Sequence, residues 1–562
     1  MRLYRDVVHG DILLPSLATD LIDTAEFQRL SRIMQLGFAH LVFRGATHTR
    51  FAHSVGICHV ARQIVRHVEA NHARLGLPLP EGLAGPDSSG LDFARMAEVV
   101  SAAALLHDIT HIPFGHTLED EFQDIYLKHD ALDSPRLWTL LWDSRSGLAR
   151  VFQRPTPYVA GLDNATLRWL VYLILAFRED AEADPPRDFP RLLQEARDRA
   201  AAGSLLDPAR RAAFADFLAR AGEAFRDLSA RGLFRPFMAD IVSGTVSADL
   251  LDYTSRDLYF TGLGGGFDQR IMHYLFIAED RRTGAHRLAL DVLSPRGYAR
   301  LDMTSEIMNL MRLRYSMAER VYYHRNKVAA SAMLARGLLG HDVPADTNPY
   351  DDPQSVLRTE MSDEQMVRRL IHAVDRGGRP ALGTLSAGQA RDIGWAILDR
   401  RLYVPTVALT AATAREIGGA ERYVDHLRGR PGGRQRLNEM QAALSAMTGL
   451  GPHSVLIYCP PIKMQAKAIS MPVRFEQRRI VPLADHPDFR EEAEQLNRKY
   501  QGLWKAFAFV HPGVLQMPGL VGRIVDEFCR RLGISPNYAS RIIATDYLLE
   551  EQGESPASSL PS

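Results

Sequence analysis

The stretch DFARMAEVVSAAALLHDITH, from Asp92 to His111, constrains this chain more than any other. It reads as a helix that is apolar nearly all round toward its end, so that end is buried. It then stops on His107-Asp108. A charged pair at a buried helix end is expensive unless it has a partner. Only a sizeable core can enclose such a helix. With 562 residues, 46% hydrophobic and 24% charged, the chain has globular composition and is neither disordered nor fibrous. At roughly 150 residues per domain, its length predicts about three to four units, or one large domain with a smaller one.

Helical periodicity dominates the first 330 residues. LATDLIDTAEFQRLSRIMQLG carries apolar positions at three- and four-residue spacing, with Asp23 or Thr24 as its cap. HSVGICHVARQIVRHVEANHARLG predicts a long helix ending near Gly76. The Pro- and charge-rich breaks REDAEADPPRDFP and GSLLDPARR read as loops flanking short surface helices. LDMTSEIMNLMRLRYSMAERVYYHRNKVAASAMLARGLL reads as long and helical, its Met stripe as core filler. Beyond about residue 335 the texture changes. GHDVPADTNPYDDPQS reads as a linker, while SVLIYCPP, AISMPVRF and RRIVPL are strand-like. Residues 485–550 return to helical pattern, and the tail 551–562 is small, polar and expected to be disordered. The expected fold is mainly α: a large helical domain over 1–335 and a smaller α+β lobe over 336–550.

Charge and cysteine content narrow the function. Lys+Arg and Asp+Glu are both 67, so the formal net charge is zero. That removes the electrostatic argument for a dedicated duplex-binding or polybasic membrane protein. The cysteines Cys58, Cys459 and Cys529 lie far apart and form no disulfide or zinc framework, so a reducing compartment is expected. The opening MRLYRDVVHG lacks the apolar core of a signal peptide, and the longest apolar run, Leu170 to Phe177, is about half a bilayer span. A soluble, cytoplasmic protein without a membrane partner is expected.

His107-Asp108 does not stand alone. THTRFAHSVG upstream contributes His48 and His53, THIPFGHTLED contributes His111 and His116, and LKHDALD contributes His129. Far downstream, VSADLLDYTSRDLYFTG supplies Asp249, Asp252 and Asp257, whose spacing places Asp249, Asp252 or Tyr253, and Asp257 roughly along one helical face. Imidazole and carboxylate together suit Mn, Fe, Ni, Zn or Mg.

Taken in order, DIL…LIDTAEFQRLSRIMQLG, FRGATHTRFAHSVG, LLHDITHIPFGH and SADLLDYTSRDLYFTG resemble the HD-domain phosphohydrolases. Within them the likeness is to the deoxynucleoside triphosphate triphosphohydrolase branch of SAM-and-HD-domain-like enzymes. It runs from about Tyr4 to Val328, with unmatched insertions at about 75–95 and 140–235. The resemblance implies a mononuclear divalent metal site held by His53, His107, Asp108 and Asp249. It also implies water attack on the α-phosphorus of a dNTP, releasing nucleoside and tripolyphosphate. His116 matches the residue best suited to protonate the leaving oxygen, His111 and His129 the other catalytic histidines, and Glu119 an orienting carboxylate. Gln35 and Asp257 match positions that read the sugar 3′-hydroxyl. Tyr253 matches an aromatic that leaves no room for a 2′-hydroxyl, and Arg50 matches a phosphate clamp. Read alone, these residues have plainer roles: a solvated helix position for Glu119, a surface residue for His129, a cap for Asp257, core packing for Tyr253, a surface ion pair for Arg50.

The match has gaps. Where the clearest triphosphate site carries a Lys after the last metal-binding Asp, this chain has Leu250. Arg314, Arg320, Arg325 and Lys327 are the cations available to compensate, and Lys327 is taken as a substrate contact. Asp23 and Gln28 match base-reading positions of a regulatory guanine-nucleotide site, but its Arg corresponds to Ser31. The resemblance also implies a homo-oligomer, dimer or tetramer, and the 336–550 lobe is read as an oligomer or regulatory element. Two other readings remain: an HD enzyme acting on another nucleotide or nucleic-acid ester, and a non-catalytic nucleotide sensor. KYQGLWKAFAFVHPG mixes aromatics with Lys, a pattern of single-stranded nucleic-acid stacking, but ordinary helix packing is the preferred account.

Overall fold

In the computed structural model the described residues are 1–77, 79–80, 83, 90–115, 118–119, 128–179, 187–203, 206–280, 283–293, 298, 300–340, 362–372, 385–429, 433–461, 472–476, 479–486 and 489–543. They fall into two compact units. The first is drawn from 1–317, 344–363 and 467–495, the second from 318–343, 364–466 and 496–562. The architecture is mainly α, with small sheets.

Three helices frame the first unit's interior. Helix α1, Arg50–Leu75, starts on Thr49, whose hydroxyl accepts from the Ala52 N–H, and ends on Gly76 at φ 60°. That left-handed cap is the stop expected near Gly76, because only Gly adopts it without cost. Helix α2, Phe93–Leu106, is capped by Asp92, which accepts from the Arg95 N–H. Its residues Val99 to Leu106 are all buried. Helix α3, Ala248–Thr261, is capped by Ser247 and closes on Gly262, also left-handed. α1 and α3 come together at Gly56, where a Cβ would lie 2.0 Å from Asp252 Oδ1. A side chain there would force the helices apart.

Around this core lie a hairpin, β1 (Arg2–Asp6) with β2 (Gly10–Leu14), and a four-stranded sheet. The sheet begins with antiparallel β3 (Leu275–Asp280) and β4 (Ala285–Leu290) and is completed by Pro472–Glu476 and Arg479–Pro482. AISMPVRF and RRIVPL thus supply strands to the unit that holds β3 and β4. The segment 17–37 is not one helix: it breaks into Ser16–Ile22, Ala25–Gln28 and a 3-10 turn Arg29–Arg32. Thr24 provides the cap, accepting from the Phe27 N–H. The helices in the 140–235 stretch are longer and less superficial than expected. Phe189–Ala202 and Pro208–Ala230 both carry Pro within their first two residues after an Asp cap, and the second buries Phe214, Phe217 and Leu218. Phe217 stacks on Trp169 with centroids 5.3 Å apart, an aromatic core that the charged flanks conceal.

The Met-rich helix also divides. Leu301–Met317 passes through a π turn, Ala318–Tyr322, before Arg325–Gly340 begins. Its Met303, Met308, Met311, Met317 and Met333 are buried, as core filler should be.

The second unit contains a three-stranded antiparallel sheet in the order Val404–Thr410, Lys505–Val510, Val455–Tyr458. Its central strand corrects the helical reading of residues 485–550. After the exposed Lys505, AFAFV is buried on both faces, so it is apolar throughout and carries no alternation to mark it as a strand. The aromatics of KYQGLWKAFAFVHPG are therefore interior: Phe507, Phe509 and Trp504 are all buried. The helices Arg490–Gln501 and Leu520–Leu532 flank that strand in sequence. The three cysteines are buried free thiols. The 341–355 linker and the 551–562 tail lie outside the described residues. Among the described residues no helix is long and apolar enough to cross a membrane.

Candidate metal and phosphate site

Four residues from three helix ends converge in the first unit. His53 sits in the first turn of α1 and Asp249 in the first turn of α3, while His107 and Asp108 follow the last residue of α2. His53 Nε2 lies 3.2 Å from Asp249 Oδ1 and 4.0 Å from Asp108 Oδ2. His107 Nε2 lies 3.2 Å from Asp108 Oδ1 and 3.9 Å from Asp249 Oδ1. His53, His107 and Asp108 each offer one donor atom within a single 4.8 Å cluster. Asp249 leaves one face open, its side chain being 33% exposed.

The donor set fits a divalent cation. His53 Nδ1 donates to Asp252 Oδ2 at 2.7 Å, and His107 Nδ1 to the Ala104 carbonyl at 2.9 Å. Each imidazole thereby turns its Nε2 inward, where a neutral ring would offer its lone pair to a metal ion. Burial alone would lower the His53 imidazole, but Asp249, Asp252 and Asp108 overcome it and push it up to about 10. The pocket therefore favours positive charge at its centre, as a metal ion would supply.

Sequence reasoning placed Asp252 on the right face but gave it no role. Its carboxylate is fully buried and accepts from His53, from His9 Nε2 at 2.6 Å, and from the Arg256 guanidinium at 2.9 Å. Burial opposes ionisation, yet Arg256, His53 and His9 hold Asp252 well below the usual carboxylate range. Arg256 continues to Asp6 of the hairpin at 2.8 Å. The only sequence signal was the i, i+4 spacing of Asp252 and Arg256; His9 lies 243 residues away.

A second group adjoins the first through Asp108, whose Oδ1 is 3.2 Å from His111 Nε2. The His111 and His129 rings stack with centroids 3.6 Å apart. His129 Nδ1 donates to Glu119 Oε2 at 3.0 Å, and the buried Arg136 donates to Glu119 Oε1 at 3.0 Å. Burial alone would raise Glu119, but His129, His111 and Arg136 outweigh it and keep it ionised. Glu119 is 2% exposed, so it is no solvated surface residue. Burial, Arg50 and His129 lower His111 well below its ordinary value, against the pull of Asp108, and keep it neutral. Arg136 and Arg29, whose guanidinium donates to the carbonyls of His111 and Ile109, were not anticipated. His116 lies outside the described residues.

The remaining site residues separate. Arg50 is buried and donates to Asp108 Oδ2 at 2.6 Å, so it is no surface ion pair. Asp257 accepts from His48 Nε2 at 2.8 Å. Gln35 Oε1 is buried and lacks a hydrogen-bond partner among the described residues. Tyr253 is half-buried on α3 and Leu250 is buried beside Asp249. Lys327 belongs to the second unit, where its ammonium bonds the Tyr322 carbonyl. Asp23 pairs with Arg2 at 2.6 Å, and the Gln28 amide donates to the Ile22 carbonyl at 2.9 Å. Ser31 donates to the Gln28 carbonyl at 2.6 Å.

Two histidines and two aspartates thus meet at three helix ends, and the chain resembles the HD-domain phosphohydrolases. Within that class the resemblance is to the SAMHD1 branch. No family model matches. The chain is 38% identical to a putative HD domain-containing protein of Acanthamoeba polyphaga mimivirus over 119 residues, 21% of this chain and 25% of that protein. It is 34% identical over 125 residues to the deoxynucleoside triphosphate triphosphohydrolase SAMHD1 of Xenopus laevis, 22% of this chain and 17% of that protein. To the SAMHD1 homolog of Dictyostelium discoideum it is 24% identical over 341 residues, 59% of this chain and 48% of that protein. The matched stretch thus spans about a quarter or less of the first two relatives and about half of the third.

Proposed function

We propose that the protein is a divalent-metal-dependent phosphohydrolase, and that its substrate is a deoxynucleoside triphosphate cleaved to nucleoside and tripolyphosphate. The carrying observation is the convergence of His53, His107, Asp108 and Asp249, with His53 of the first turn of α1 3.2 Å from Asp249 of the first turn of α3. Helix N-termini favour anions, so a phosphate beside this cluster is electrostatically matched. A divalent ion bound there supplies Lewis acidity and acidifies water.

The chain's own groups do the rest. Asp252 holds the His53 ring so that Nε2 faces the site, and Arg50 fixes Asp108 while bringing a guanidinium to the same carboxylate. Glu119, anchored by Arg136, orients His129 against His111. These imidazoles stand beside Asp108 as proton-handling groups, and the protonation of the leaving oxygen is assigned to His116. The orphaned Gln35 Oε1 accepts the sugar hydroxyl, Asp257 assists it, and Tyr253 excludes ribose. The catalytic role falls to residues 1–335, and oligomer or regulatory roles fall to 336–550.

One observation favours a second reading. Leu250 is 3% exposed, so the position after Asp249 offers no cation to a triphosphate. An ester with fewer phosphates then becomes the better substrate. Purified protein incubated with Mn or Mg and each dNTP, NTP and monophosphate decides, read by chromatography. Tripolyphosphate plus deoxynucleoside supports the first reading. Pyrophosphate or orthophosphate refutes it, and turnover of ribonucleotides removes Tyr253 as a sugar gate. His107→Ala with Asp108→Ala should abolish both turnover and bound metal in a folded protein.

A further inference from the structure

Asp363 is a buried carboxylate, 6% exposed, with no place in the chemistry above. It opens the helix Asp363–Ile371, and the next residue, Glu364, begins the second unit. Its two oxygens accept from two backbone amides far away in sequence. Oδ2 takes the Met34 N–H at 2.7 Å, and Oδ1 takes the Phe114 N–H at 3.1 Å. Both amides belong to loops of the candidate site. Met34 precedes Gln35, whose own N–H donates to the His48 carbonyl at 3.0 Å. Phe114 precedes Gly115, and a Cβ at Gly115 would lie 2.4 Å from His111 Nδ1. The Gly115 backbone is therefore the wall against which the His111 ring rests.

Phe114 is held in an unfavoured conformation, at φ 54°. Left-handed backbone at a bulky residue persists only where its surroundings impose it. Two contacts impose it here: the Asp363 bond to its amide, and a stack on Phe38 with centroids 4.2 Å apart. Phe38 follows Gly37, itself at φ 53°, on the same chain turn as Met34. One carboxylate thus ties the loop carrying Gln35 to the loop backing His111.

We infer that Asp363 is a positioning residue: its ionised carboxylate clips the Met34–Gln35 and Phe114–Gly115 loops together and so sets the sugar-reading glutamine relative to the catalytic histidine. The clip needs two acceptor oxygens. Asn offers one oxygen and an NH₂ that would face the second N–H, so it keeps half the clip at best. Glu keeps both acceptors on a longer stem. Burial pushes the Asp363 carboxyl up to about 6, against its two amide bonds and the charge of Arg50. A proton on either oxygen turns an acceptor into a donor, so the clip loosens as pH falls through that value.

The catalytic half of this inference rests on the phosphohydrolase reading, and its test separates the two. For full-length protein with Mn²⁺ and each dNTP, D363N is expected to lower kcat of the folded fraction by about 10- to 100-fold with KM changed less than about threefold. D363E is expected to recover part of that loss. Amide exchange at Met34 and Phe114, followed by mass spectrometry and corrected for intrinsic pH effects, should accelerate in D363N and, in wild type, as pH drops from 7 to 5. Unchanged kcat in D363N, or exchange that stays flat in both series, overturns the proposal. If wild type hydrolyses no nucleotide, the phosphohydrolase reading and the catalytic half fall together, and exchange alone decides the clip. If D363N fails to fold, D363E and the wild-type pH series still decide.

Discussion

The two units bury different kinds of group. The described interior of the first holds Arg50, His53, Asp108, Glu119, Arg136, Asp252 and Arg256, all under a tenth exposed. The described buried polar residues of the second are mainly neutral, among them Thr406, Thr413, Ser445, Thr448 and Ser454, with Arg336 the charged exception among them. A charge taken out of water costs several kcal/mol unless a partner compensates it. The first unit meets that cost with a closed network, Asp6–Arg256–Asp252–His53 on one side and Arg136–Glu119–His129 on the other. The second has no comparable arrangement among its described residues. Interior charge, more than helix content, distinguishes the unit that holds the candidate site.

That contrast predicts unequal responses to mutation. Asp252→Asn should cost about 3 kcal/mol or more, because Arg256, His9 and His53 lose a shared buried anion. It should also weaken Mn²⁺ binding about 10- to 100-fold by freeing the His53 ring. Denaturant titration and calorimetry read the two effects separately. Gly56→Ala should cost about 1–3 kcal/mol, since its Cβ would fall 2.3 Å from Arg256 Nη2 as well as against Asp252. Both variants should lower metal content along with stability, and a Gly56→Ala protein as stable as wild type would contradict the close helix approach.

In the second unit, Trp504→Phe should cost about 1–2 kcal/mol. The indole N–H donates to the Pro460 carbonyl at 2.9 Å, and Phe leaves that buried acceptor unpaired. Metal affinity should not move; if it did, the separation drawn between the units would be lost. The smallest effect concerns pH. Burial, with His9 and Arg66 nearby, lowers the His59 imidazole to about 4. A base depressed in the folded state adds stability above its unfolded value near 6.5 and loses it as pH falls toward 4. His59→Phe should flatten that limb by about 1 kcal/mol, allowing for partial exposure. Denaturation midpoints at pH 7, 5.5 and 4.5 measure it.

The sequence was most readable where one helix supplies both the pattern and the residue. The end of α1 at Gly76, the buried run of α2 and the Asp249–Asp252–Asp257 face of α3 follow from local spacing and turn chemistry. The four proposed ligands stand at ends of those same helices, where the resemblance to the HD-domain phosphohydrolases, carried by the local motifs, assigns them. Contacts between distant segments left no such trace. Asp363 lies 329 residues from Met34 and 249 from Phe114, and His9 meets Asp252 only after the hairpin folds over α3. Lys505–Val510 was taken for helix because a strand covered on both faces is apolar without alternation. Val404–Thr410, its neighbour, went unmarked with Pro405 inside it, at the irregular register beside Val407.

The buried thiols give each unit a gauge of its own integrity. Cys58 belongs to the first unit, Cys459 and Cys529 to the second. Burial pushes Cys58 up to about 12 and Cys529 up to about 11, so neither is a nucleophile at neutral pH while its surroundings stay closed. Alkylation by an electrophile such as iodoacetamide therefore requires local or global opening. Peptide mapping of the adducts would time the opening of the first unit's core at Cys58 and that of the other unit at Cys459 and Cys529, in one sample and without an added label.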